Sequence, residues 1–172
     1  MLYLCIVLVF VFFAGVAMTV AEGLWSNAIG LLAVIFAGVF AVAAGFPLGL
    51  AAREQFQKEE VFTWYFLFAG CWIAFFAFIV VFRVVAERIS RVRMRFVPPL
   101  ENAGGPLMGL LTALMFTSFA SFTLLIPMAA KEWDLQKAES WQQSTVTLSS
   151  APFITVYNRI TGEDLKARVG LQ

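Results

Sequence analysis

Four apolar runs set the terms on which this chain can fold. They cover residues 2–21, 28–52, 61–82 and 105–130, and none contains Asp, Glu, Lys or Arg. An α-helix needs about 20 apolar residues to cross the hydrocarbon of a bilayer. Strands with open edges would leave backbone groups unpaired in lipid, so each run is read as a helix. The rest of the chain cannot bury this much oil. It is 61% hydrophobic and 13% charged, with a mean hydropathy of +0.85, where a soluble domain carries about 25% charge. The expected fold is an all-α membrane protein with four transmembrane helices, an interfacial amphipathic extension and a short polar C-terminal tail. The first run is read as a retained span, the alternative being a cleaved signal peptide with Thr19, Val20 and Ala21 before Glu22 as a passable cleavage site. No basic residue precedes the run, and its apolar core exceeds that of a cleaved signal.

The expected division is a four-helix transmembrane domain over residues 1–130 and a polar tail over residues 131–172. In the tail, KEWDLQKAESWQQ reads as a short surface helix, STVTL and FITVY as strand-like segments, and RITGED as a turn. About 40 residues make a poor independent core, so the tail is expected to lean on the membrane surface or on a partner. Trp133 and Trp141 suit the headgroup zone as anchors.

Basic residues set the expected orientation. The connection after the third run holds Arg83, Arg88, Arg91, Arg93 and Arg95, the first connection holds none, and the second holds Arg53 and Lys58. The positive-inside bias then makes the arginine-rich side cytoplasmic. With four crossings, both termini would then face outward, with the tail in the periplasm or outside. At 100° per residue Val85, Ile89, Val92 and Phe96 share one face and Arg88, Arg91 and Arg95 another. The third helix is therefore expected to continue as an interfacial segment until Pro98 and Pro99 stop it. Arg88, Arg91, Arg93 and Arg95 are the expected membrane-surface anchors, facing anionic headgroups.

Signs of catalysis are absent. The chain has no His, the commonest acid–base catalyst and metal ligand. Cys5 and Cys71 lie in separate runs without a Cys-x-x-Cys spacing, and read as small packing residues. No ionisable group interrupts the runs, which argues against proton-coupled transport by this chain alone. A net charge of +1 gives no reason to expect nucleic acid. No enzyme activity, metal or cofactor is expected.

Two rows of small residues at spacing four stand out: Gly105, Gly109, Ala113, Thr117 and Ser121 in the fourth run, and Ala33, Ala37, Ala41, Gly45 and Gly49 in the second. Membrane helices associate by close packing, which small residues permit. The simplest pairing sets the second helix against the fourth, within one chain or between copies. The hydroxyls of Thr112, Thr117, Ser118, Ser121 and Thr123 are expected to bond back to their own helix; the alternative is a polar path. Pro47 and Pro127, near helix ends, are expected to bend or terminate their helices.

The stretch LENAGGPLMGLLTALMF, residues 100–116, resembles the colicin V production protein family, with Glu101, Gly105 and Gly109 in the family's acidic and glycine positions and Ala113 in place of a third Gly. Residues 22–45 are similar to its first loop and second helix, and Trp141 and Ser144 to its tail signature. Thr112 stands where an Arg is common. The resemblance, over roughly residues 1–150, implies an inner-membrane protein needed for producing or exporting colicin V, or more broadly for envelope homeostasis. The expected partners are the lipid bilayer, a second copy, or a secretion or envelope protein. The expected function is non-enzymatic and works through helix-mediated assembly; the alternative is a small oligomeric channel or transporter subunit.

Overall fold

The computed structural model describes residues 2–56, 63–89, 97–126 and 139–169. Its elements are α1 (Leu2–Thr19), α2 (Leu24–Gln55), α3 (Thr63–Ile89), α4 (Pro98–Leu125), α5 (Ser140–Thr161) and α6 (Leu165–Val169). Among the described residues every regular element is a helix, and α1 to α4 are long and apolar enough to cross a membrane. The protein is an all-α membrane protein.

The helices interlock around α4. α2 and α3 form an antiparallel pair, with Phe40 stacked on Phe78 at 4.7 Å and Phe36 beside Phe82 at 6.0 Å. α1 runs antiparallel to α4: Thr19 meets Gly109, Gly15 meets Ala113, and Leu8 packs with Ala120. α2 and α4 run parallel, Asn27 touching Gly105 and Gly38 lying against Phe119. The interior is aromatic. Phe75 of α3 stacks on Phe119 of α4 at 4.3 Å, and Phe153 of α5 meets Phe119 edge-on at 5.2 Å. Phe75, Phe119, Phe122, Phe153 and Tyr157 are all fully buried. Offset and edge-on ring pairs add to the dispersion that holds apolar helices together in lipid.

Several boundaries differ from the sequence reading. α4 begins at Pro98 rather than residue 105, because Pro98 and Pro99 occupy its first turn, where a missing N–H costs nothing. α2 runs from Leu24 to Gln55 rather than from 28 to 52, and Pro47 inside it does not terminate it. α3 does extend past Phe82, to Ile89, with Arg88 exposed. Arg91, Arg93, Arg95, Pro127 and Trp133 lie outside the described residues.

The largest correction concerns the tail. STVTL and FITVY are not strand-like: both lie in α5, a 22-residue helix. Their β-branched residues suggested strands, but their burial repeats at helical spacing. Val146, Ser150, Phe153, Ile154 and Tyr157 all point inward. A strand would need pairing partners, whereas a helix satisfies its own backbone beside α4. Gly162, at φ 71°, closes α5 in the left-handed conformation that glycine adopts without strain. RITGED accordingly forms the helix end and the turn into α6. The Asn158 side-chain oxygen accepts the Leu165 N–H at 2.9 Å, and Arg168 pairs with Glu163 at 2.7 Å.

Candidate functional site

The two small-residue rows do not face one another. In α4, Gly105 and Gly109 meet the turn that ends α1. A β-carbon on Gly105 would lie 3.0 Å from the Glu22 carbonyl oxygen, and one on Gly109 would lie 3.1 Å from the Thr19 carbonyl oxygen. Ala113, next along, meets Gly15 of α1. In α2, Gly45 and Gly49 meet α3 instead. A β-carbon on Gly45 would lie 2.6 Å from Cys71 Cα, and one on Gly49 2.5 Å from the Phe66 carbonyl oxygen. Ala37 and Ala41 are fully buried in the core. Ala33 lines a shallow apolar groove of about 200 Å³ between α2 and α3 with Ile29, Leu32, Phe36, Phe82 and Ala86. The expected pairing of one row with the other is therefore corrected. α2 and α4 do pack, but each row's closest approach is to a different neighbour. The four residues between Thr19 and Leu24 are the reason. So short a connection sets the end of α1 and the start of α2 together against α4.

A polar knot holds that crossing. Asn27 is 1% exposed. Its Nδ2 donates to the Thr19 carbonyl at 2.9 Å, the Gly105 carbonyl at 2.9 Å and the Glu22 carbonyl at 3.2 Å. Two amide protons thus serve three acceptors on three elements. Beside it, the Thr19 hydroxyl lies 2.8 Å from the Gly15 carbonyl and 3.0 Å from the Gly109 carbonyl. The Thr112 hydroxyl bonds the Met108 carbonyl at 2.9 Å and approaches the Asn27 carbonyl at 3.3 Å. Glu101 sits in the first turn of α4 with its carboxylate over Gly23, the end of a helix where negative charge is favoured.

The lower half of the α4 face serves α5. Ser149 donates to Ser121 Oγ at 2.8 Å, and Ser121 donates to the Thr117 carbonyl at 2.8 Å. Ser118 Oγ accepts the Phe153 backbone N–H at 2.9 Å. Pro152, one residue earlier, lies inside α5 and has no N–H of its own to give the preceding turn. Thr117 lies in the row but its hydroxyl is buried without a partner. Trp141 opens α5, exposed, with its indole N–H on the Glu139 carboxylate.

Asn27, Thr19, Gly70 and Ser149 were not singled out by the sequence reading. Asn27 had one visible signal, an amide at the very edge of an apolar run. Ser118→Ala is expected to destabilise the protein by about 1 kcal/mol, the net worth of one hydrogen bond. Thermal unfolding of the variant in detergent reads this; an unchanged midpoint would show that Ser118 is not the acceptor.

The family model for colicin V production protein matches residues 4–153. Comparison with curated proteins and with solved structures returns no match.

Proposed function

The chain belongs to the colicin V production protein family, and on that premise we propose that it is a non-enzymatic protein of the bacterial inner membrane. It assists toxin production or export, or envelope maintenance, by assembling through its helices with a secretion or envelope protein. Its arginine-rich connection faces the cytoplasm, and its α1 N-terminus faces outward.

One observation favours this reading over a pore. Most hydroxyls of α4 are taken up by neighbouring helices or by α4 itself rather than aimed into a channel, with Thr123 bonded back to the Ala120 carbonyl and Thr117 alone without a partner. Thr112 reaches Asn27, Ser118 takes the Phe153 N–H, and Ser121 pairs with Ser149. The space between α2, α3, α4 and α5 is filled by aromatic rings in stacked, tilted and edge-on contact. Partner contact is left to the outward faces of α1 and α3, where Phe10, Phe13, Ile73 and Val80 are exposed.

Two measurements test the proposal. Purified, folded protein in proteoliposomes should hold a small solute as tightly as empty vesicles do. Sustained efflux that Thr117→Val or Ser121→Ala alters would replace it with the channel reading. In a colicin V-producing strain lacking this gene, the intact chain should restore secreted toxin, scored by killing of a sensitive lawn. Gly109→Leu should not restore it, since a side chain there strikes the Thr19 main chain. Full restoration by Gly109→Leu would mean that the helix crossing is not what the function requires.

A further inference from the structure

We propose that α5 is a fifth membrane-crossing helix, and that it returns the chain to the arginine-rich side.

Register carries the inference. Val146 of α5 packs with Leu8 of α1 and Ala120 of α4. α1 begins six residues before that contact and α5 also begins six residues before it. α1 ends 11 residues beyond the contact and α5 ends 15 beyond it. α5 therefore covers the whole depth of α1, which is itself long and apolar enough to span. Contacts farther along agree. Ser149 meets Ser121, Phe153 meets Ser118, and the Phe153 ring reaches Gly38 midway along α2. Continued antiparallel to α4, this register brings Thr161 level with Gly109, which Thr19 bonds at the end of α1. The 22 residues of α5 extend about 33 Å, against about 30 Å of hydrocarbon.

Hydropathy hides this span because α5 is rich in Ser and Thr, yet several of their hydroxyls are bonded within the protein. Ser144 donates to the Ser140 carbonyl, Thr145 to that of Trp141, Ser150 to that of Thr147 and Thr161 to that of Tyr157. A hydroxyl bonded to its own helix can face lipid without an unpaired polar group. No Asp, Glu, Lys or Arg occurs from Ser140 to Asn158.

Charge agrees independently. The chain has 12 Lys and Arg residues. If α5 stayed outside, five would lie on the inner side and seven on the outer, against the positive-inside bias. With α5 crossing, Arg159, Lys166 and Arg168 join the arginine-rich connection, giving eight inside and four outside. The expectation that both termini face outward is thereby replaced: residues after Thr161 lie opposite Leu2. The absolute side rests on the orientation proposed above, but the opposition of the two ends does not.

The test is labelling with a membrane-impermeant maleimide. Single cysteines are placed at exposed Ser140 and exposed Ala167 in a Cys5→Ala, Cys71→Ala background. Ser140→Cys should react in intact spheroplasts, and Ala167→Cys only after the inner membrane is opened. Reaction of both in spheroplasts, or of neither until lysis, would overturn a crossing by α5. The reverse pattern would keep the crossing but overturn the orientation. Should the Cys-free chain fail to accumulate, C-terminal fusions to the chain with its native cysteines decide. Alkaline phosphatase fused after Gln172 should stay inactive and, fused to a chain ended at Ser140, should be active; the same result at both positions would overturn the crossing, and the reverse pair would overturn only the orientation.

Discussion

Gly70→Leu is expected to abolish the folded bundle, and even Gly70→Ala should cost about 3 kcal/mol, the upper end for overpacking a closed core. Gly70 is fully enclosed where α2 and α3 cross. A β-carbon there would land on the Gly45 carbonyl oxygen and lie 3.0 Å from the Gly49 backbone N. All the atoms in the way are main chain, so no rotamer change can relieve the clash. The helices would have to part. A gap of about 1 Å forfeits up to half of each dispersion contact along it, and dispersion is the main force between helices in lipid. The loss would spread to Phe40 on Phe78 and to the Cys71 backbone against Gly45. Gly30→Ala is the control. Its β-carbon would find nothing nearer than the Thr112 methyl at 3.9 Å, and alanine is a better helix former by about 1 kcal/mol. It should be neutral or stabilising. Unfolding midpoints in detergent read both, with Gly70→Ala lowered and Gly30→Ala not. Equal midpoints would mean that α2 and α3 do not cross this closely.

Gly70 also shows where sequence reading stops. Gly105 and Gly109, or Gly45 and Gly49, announce themselves by spacing, because repetition at four marks one helix face. Gly70 stands alone between Ala69 and Cys71 and acquires meaning only when Gly45 and Gly49 arrive beside it. The four long spans were legible because oil without charge has one solution in a bilayer. α5 was not. Its Ser and Thr count as polar on any scale, and the bonds that neutralise them appear only once the helix exists. Its Val, Ile and Thr also favour strands by propensity, a preference that α4 overrides by offering a helical face and no strand edge. The partner of each small-residue row was illegible too. Spacing says that something comes close but not which helix, and the short turn after Thr19 decided that.

Asn27 is where the second large effect is expected, and the order of its variants should identify its role. Asn27→Ala leaves the Thr19, Glu22 and Gly105 carbonyls without their shared donor. Hydrogen bonds between membrane helices contribute about 0.6 kcal/mol on average and up to about 1.7, so losing a donor shared by three carbonyls, of which Thr19 keeps the Glu22 N–H, is expected to cost about 2–3 kcal/mol. Asn27→Leu keeps the volume but not the donor and should lose about as much. If filling space were the residue's task, leucine would instead rescue alanine. Asn27→Asp keeps the shape and nearly the volume, yet should be the worst of the three. It sets a carboxylate, buried to 1% exposure, against three carbonyl oxygens and offers no proton in return, the most costly arrangement for a buried charge. Thr112→Val removes only a bond bent toward its own helix and a 3.3 Å approach to Asn27, and should cost less than about 1 kcal/mol. Unfolding midpoints falling in the order Thr112→Val, then Asn27→Ala with Asn27→Leu, then Asn27→Asp would identify the amide as the clasp joining α1, α2 and α4. A wild-type midpoint for Asn27→Asp would mean that those carbonyls do not converge on Asn27, and the packing of Gly105 and Gly109 on the end of α1 would then have to stand without it.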